Sequence, residues 1–203
     1  VTDRFPGFDV LAQSGRWDPV TAGVVLARTA KAPDIRFFTP SEEAIATALV
    51  DQLLGQQDRP LVPVAPQIDA RLAETQTDGW HYDDMPADAQ AWRDTLADLD
   101  ADTTARFGTG FATCSPALQA EILQAVQDLG SNDWRGRSAA HAWSLWTRYA
   151  CTAFYSHPLA WNEIGFAGPA YPRGYKNLGV DSLERHEVRD RLPTADPIRR
   201  SQR

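Results

Sequence analysis

Four histidines, two cysteines and scattered carboxylates are the side chains of this 203-residue chain that could do acid–base, metal or nucleophilic chemistry. The best placed is His157. It precedes Pro158 where a helical pattern stops, and Glu163 follows in the same segment. A His–Glu pair can move a proton at neutral pH, because an imidazole titrates at about 6.5. No Ser, Cys or metal ligand stands at a recognisable spacing from the pair. A helix-end imidazole can equally serve the free carbonyls of the last turn or contact another protein. His157 and Glu163 are thus the only catalytic candidates, and C-terminal capping or an interface contact is the role expected of His157.

The remaining candidates are weaker. His81 with Asp83 and Asp84 matches no rigid metal-site spacing, so a solvated loop is expected. His141 reads as a packing or surface residue, and His186 lies in a polar stretch. Cys114 and Cys151 are too few for a disulfide framework and cannot alone hold an iron–sulfur cluster; buried thiols are expected, with one internal or intermolecular bridge as the alternative. Gly108-Thr109-Gly110 is a fragment of a phosphate-cradling loop that follows a helix, where such loops do not occur. No c-type haem attachment motif is present. The expectation is no cofactor and no metal in this chain.

Composition narrows the partners. The formal charge is -7 and the pI about 5.0. An acidic chain with scattered Arg lacks the basic face that phosphate binding needs, so nucleic acid is not expected. No stretch approaches the roughly 20 apolar residues of a membrane span. Val20 to Ala30 is short and lacks the flanks of a signal peptide. Val1 stands where Met would, which fits a removed initiator or a cleaved leader. A cytoplasmic location is expected, with export and leader removal as the alternative.

Aromatic density is the strongest signal. Ten of the 20 aromatics fall between Trp134 and Tyr175. Within this stretch Pro158, Pro169 and Pro172 restrict the backbone, while Gly165, Gly168 and Gly174 permit turns that other residues cannot make. Trp, Tyr and Arg dominate binding hot spots, and a stiff backbone loses little entropy on docking. Tyr155, His157, Trp161, Asn162, Glu163, Phe166, Tyr171, Arg173 and Tyr175 are the expected partner-interface residues. The other reading is a cap over this chain's own core, which is the expectation for Trp143, Trp146 and Phe154.

The elements that position these residues are helical. Thr39, Pro40 and Glu42 make a capping box with Pro at the first helical position; Ile45, Ala48, Leu49 and Leu53 follow on one face, and Gly55 stops the helix. A short helix carries Ile68 and Leu72. A longer one spans about Ala87 to Arg106, with Trp92, Leu96 and Leu99 inward. Ser115-Pro116 opens another, striped by Leu118, Ile122, Val126 and Leu129. The last spans about Ser138 to His157, with Ala139, Trp143, Trp146, Ala150 and Phe154 inward and Pro158 as its limit. A short helix near Pro19 to Thr29 lies in an otherwise extended arm, too apolar to float free. Nothing alternates long enough to demand a sheet. The fold class is mostly α: a small helical bundle with an extended N-terminal arm (1–38), a helical domain (39–179) and a polar C-terminal tail (180–203).

The run Tyr155-Ser-His-Pro-Leu-Ala-Trp161-Asn-Glu-Ile-Gly-Phe166-Ala-Gly-Pro-Ala-Tyr171-Pro-Arg-Gly-Tyr175 resembles the C-terminal signature of the gluconate 2-dehydrogenase subunit 3 family. Phe37-Phe38-Thr39-Pro40-Ser-Glu-Glu, with Leu49-Val50-Asp51-Gln52-Leu53-Leu54 closing the helix, resembles that family's start. The resemblance covers roughly Phe37 to Gly179. It implies a small, mostly helical, non-catalytic subunit that binds and stabilises a large FAD-dependent oxidoreductase of the glucose–methanol–choline type, acting on an alcohol of a sugar, sugar acid or glycoside. It places the FAD in that partner, and a cytochrome c subunit or other acceptor downstream. An assembly or export chaperone absent from the mature enzyme is the alternative role, and a stand-alone enzyme using His157 and Glu163 the alternative class. Many members carry a twin-arginine leader; here an aromatic arm from Thr2 to Arg36 stands in that place.

Overall fold

The computed structural model describes residues 4–177, 179–180 and 182–189. It is mostly helical, with α1 at Pro19–Ala27, α2 at Pro40–Leu54, α3 at Val64–Ala73, α4 at Asp88–Phe107, α5 at Pro116–Asp128, α6 at Ala139–Tyr155 and α7 at Pro158–Ile164. Two 3-10 helices lie at Val10–Arg16 and Phe111–Thr113. A minimal antiparallel hairpin pairs β1 (Asp133–Trp134) with β2 (Arg137–Ser138). The contacts gather the chain into two compact units that do not follow sequence order. A mid-chain unit spans Ala32–Phe154, and a terminal unit joins Val1–Lys31 to Tyr155–Arg203.

In the mid-chain unit, α2 packs against α3, α4 and α5. The start of α2 follows the sequence signal: Thr39 Oγ1 accepts the Glu42 N–H and the Glu42 carboxylate accepts the Thr39 N–H, while Gly55 ends the helix in the left-handed region. The chain entering α2 is held by one buried carboxylate. Asp69 on α3 accepts the backbone N–H groups of Arg36 (2.7 Å), Phe37 (2.9 Å) and Phe38 (2.7 Å). Phe38 is thereby set edge-on to Trp92. The buried indole of Trp146 donates to Thr95 Oγ1 at 3.0 Å, and the Tyr149 hydroxyl donates to the buried Asp88 at 2.6 Å. These two bonds satisfy the polar atoms of Trp146 and Tyr149 between α4 and α6, while the buried indole nitrogen of Trp92 at the same contact has no partner.

Three local details differ from the sequence reading. The long helix ends at Tyr155, and Pro158 does not merely limit it but occupies the first turn of α7. Proline fits there because its missing N–H has no helical partner in any case. Trp143 is half-buried, whereas Leu145 and Tyr149 are inside, so the buried face of α6 is wider than one stripe. On α5, Gln119 and Leu123 are buried while Leu118 and Leu129 are half-buried. The last part of the sequence-assigned tail, 190–203, lies outside the described residues, as does Thr2.

Asp69→Ala leaves three buried or half-buried N–H donors without their acceptor. The expected cost is on the order of 3 kcal/mol, from the lost charge-assisted bonds and the desolvated donors. Urea denaturation measures it, and a shift below about 1 kcal/mol would remove Asp69 as the anchor of the α2 entry.

Candidate functional site

The terminal unit contains every residue assigned to an interface from sequence, and it is built by two stretches at opposite ends of the chain. Asp9 caps the 3-10 helix, Asp18 caps α1, and both rest against α7 and the segment after it. Val10, Trp17, Val25 and Trp161 form the buried cluster, with Phe8, Leu11 and Ala22 packed on it. Asn162 Oδ1 accepts the Val10 N–H at 2.8 Å, and the Trp161 indole donates to the Tyr155 carbonyl at 2.7 Å.

Two glycines make this approach possible. Gly165 and Gly168 both have positive φ, at 70° and 78°. A Cβ on Gly165 would come within 2.7 Å of Phe5 and 2.8 Å of Val188; on Gly168 it would come within 2.8 Å of Trp17. Any other residue would be strained in its backbone and would collide with the arm.

His157 is buried and caps α7 from its N-terminal side. Its Nδ1 accepts the Leu159 N–H at 3.2 Å. That bond requires an unprotonated Nδ1, so the ring must be neutral, with its one proton on Nε2. Burial lowers its pKa, a hydrogen bond to the Arg28 backbone opposes the shift, and the Arg28 charge adds to it. Arg28 itself donates to the Ser156 carbonyl at 2.8 Å. The imidazole thus accepts the Leu159 N–H at the start of α7 and bonds the Arg28 backbone, so it joins α1 to the α6–α7 turn.

The nine sequence-assigned interface residues separate into two groups. His157, Trp161 and Asn162 bind within the unit, and Arg173 is half-buried, donating to Gln13 (3.1 Å) and the Ala167 carbonyl (3.4 Å). Burial, the first cause, and nearby Arg16 hold the Arg173 guanidinium below its ordinary value. Tyr155, Phe166, Tyr171 and Tyr175 are exposed, and Glu163 is half-buried on α7. Leu159 and Ile164, on the same helix, are exposed too and carried no sequence signal beyond being apolar. After Tyr175 the chain folds back: the Glu184 carboxylate accepts the Lys176 and Asn177 N–H groups.

The other candidates lie in the mid-chain unit. His141 stacks on Tyr82 with ring centroids 3.7 Å apart, and its Nδ1 meets Asp84 at 2.7 Å. The Ser138 N–H, first, and His141 lower the Asp84 pKa. Cys114 is buried and Cys151 exposed, both as free thiols. Among the described residues no three His, Cys, Asp or Glu side chains converge as a metal site would require, and no helix is long and apolar enough to cross a membrane. A groove of about 460 Å³ runs between α4 and α5, lined by Ile122, Val126, Leu129 and Trp134.

The His157 geometry has a pH consequence. The folded state holds the ring below its ordinary 6.5, so it binds fewer protons than the unfolded chain. The stabilisation is present above about 6.5 and is lost as pH falls through the lower folded value. Tryptophan fluorescence should therefore report loosening of the Trp17–Trp161 cluster on acidification from about pH 7.5 to 5. His157→Asn keeps a capping oxygen without a titrating ring and should flatten that part of the profile. Identical profiles for the two proteins would show that the cap does not control the unit.

The family model described as gluconate 2-dehydrogenase subunit 3 matches residues 40–168. No curated protein and no solved structure matched the chain. The matched span runs from α2 through α7 and ends at Gly168, one of the two glycines that receive the arm. It covers well over half of the sequence, and the chain therefore belongs to the gluconate 2-dehydrogenase subunit 3 family, as a small subunit of a dehydrogenase complex.

Proposed function

We propose that this chain is a non-catalytic accessory subunit that binds and stabilises a large FAD-dependent oxidoreductase of the glucose–methanol–choline type, with the flavin and the oxidised sugar, sugar acid or glycoside both held by that partner. A cytochrome c subunit or another acceptor would take the electrons. One observation carries the reading beyond the family: the exposed aromatic set Tyr155, Phe166, Tyr171 and Tyr175. These rings project from a segment whose backbone is already fixed by Trp161, Asn162 and Arg173. Large rings on a pre-set backbone are what a docking surface needs, because little freedom remains to be lost on association.

The inward residues change which substitution tests the idea. Trp161→Ala removes a large side chain from the cluster, so its first effect is on folding, about 3–5 kcal/mol. Tyr171→Ala touches an exposed ring and should leave the fold intact. Co-expression with a large glucose–methanol–choline-type flavoprotein from the same genome is expected to give a stable complex that carries flavin absorbance. Tyr171→Ala is expected to weaken it by about 2 kcal/mol or more, with unchanged circular dichroism. Undiminished assembly by that variant would end the assignment of this segment to the interface, and a chain that never associates with such a flavoprotein would end the functional reading.

A further inference from the structure

Helix α1 is a second surface without a covering partner, and it lies outside the family-matched span. Its nine residues, Pro-Val-Thr-Ala-Gly-Val-Val-Leu-Ala, include no charge and one polar side chain, the half-buried Thr21. A helix apolar on all sides is normally enclosed on all sides. Here only Val25 is buried, in the cluster with Trp17 and Trp161. Val20 is 75% exposed, Val24 54% and Leu26 42%, and Pro19, Gly23 and Ala27 are exposed beside them. Nothing stands within contact distance of a Cβ built on Gly23. Among the described residues, every large apolar side chain left exposed belongs to the terminal unit, Trp80 excepted.

Charge indicates what covers α1. The terminal unit has 12 Lys and Arg against 9 Asp and Glu, a formal +3; the mid-chain unit has 8 against 18, a formal -10. Arg28 and Lys31 follow α1, so its C-terminal end is basic, while at the other end Arg16 stands beside the capping Asp18. Two copies meeting through this face would bring like charges together, which association disfavours. A helix presenting an apolar face that runs into a basic C-terminal end fits a groove that is apolar along its floor and acidic at the end receiving Arg28.

We propose that the exposed face of α1 seats in such an acid-ended apolar groove on the large dehydrogenase subunit. This rests on the accessory-subunit reading above and adds to it an anchor on the arm, separate from the aromatic segment after α7. The Arg28–Ser156 bond fixes the C-terminal end of α1 against the α6–α7 turn, so the anchor is presented in a set orientation within its unit.

The test uses the chain co-expressed with a large glucose–methanol–choline-type flavoprotein from the same genome. Val20→Asp and Val24→Asp each place a carboxylate on the exposed face. An Asp at position 20 sits in the first turn, where the helix favours negative charge, so loss of binding there is not loss of the helix. Each variant is expected to fold as the unaltered chain does by circular dichroism and tryptophan fluorescence, and to bind the flavoprotein at least about tenfold more weakly. The complex of the unaltered chain is expected to weaken as salt is raised, since exposed charge pairs are screened. If the unaltered chain binds and both variants bind equally well, the α1 anchor is overturned while the functional reading stands. If the unaltered chain does not bind, the functional reading falls and the anchor with it. If light scattering shows the isolated chain to be a dimer that Val24→Asp dissociates, a second copy occupies the face and the proposal is overturned.

Discussion

The burial of Trp161 is the constraint on which the terminal unit depends. Its ring sits among Val10, Trp17 and Val25, and the next residue, Asn162, accepts the Val10 N–H. Two stretches from opposite ends of the sequence are thereby closed into one unit. Closing so long a loop costs entropy, though the cost grows only slowly with length. A cluster holding two indoles can offset it, because each buries a large apolar area. Gly165 and Gly168 are the geometric half of the same constraint: without them Phe5 and Trp17 could not approach the segment after α7 as closely as they do.

The two units solve different problems. The mid-chain unit encloses its large apolar side chains, Trp80 excepted. Its buried carboxylates, Asp69 and Asp88, have donors, its large rings have neighbours, and its exposed surface is acidic and well solvated. The terminal unit leaves its outer apolar side chains uncovered, on α1, on α7 and along the segment to Tyr175. Soluble chains commonly expose single apolar residues, but a concentration of them in one unit marks an interaction surface. The charge division runs the same way, with a formal -10 on the mid-chain unit and +3 on the terminal unit.

Much of the helical architecture was legible in the sequence because its signals are local. Thr39, Pro40 and Glu42 bond as a capping box must, and Ser115 caps the helix that Pro116 opens. The failures came where a residue has two uses. Pro158 can stop one helix or start another, and only the His157 cap, an unusual residue for that position, shows that it starts α7. The aromatics after Tyr155 show the same ambiguity. Tyr171 and Trp161 are equally good docking residues by type, yet one is exposed and the other buried against Trp17. That difference is set by a segment some 150 residues away, and no window of sequence contains it.

The family-matched span begins at residue 40, so it holds the Trp161 face and both glycines but not the arm that fills them. A backbone shaped by Gly165 and Gly168 leaves room for incoming side chains, and in this chain Phe5, Val10 and Trp17 supply them. The arm therefore completes a receptor that the matched segment already contains. Its inner face is constrained by that receptor, since Val25 and Trp17 must fit the cluster. Its outer face is constrained by nothing else in the terminal unit, and it is apolar nonetheless. Water alone would favour polar side chains at Val20 and Val24, and the proposed docking of α1 is what would supply the second constraint that this face lacks within its unit.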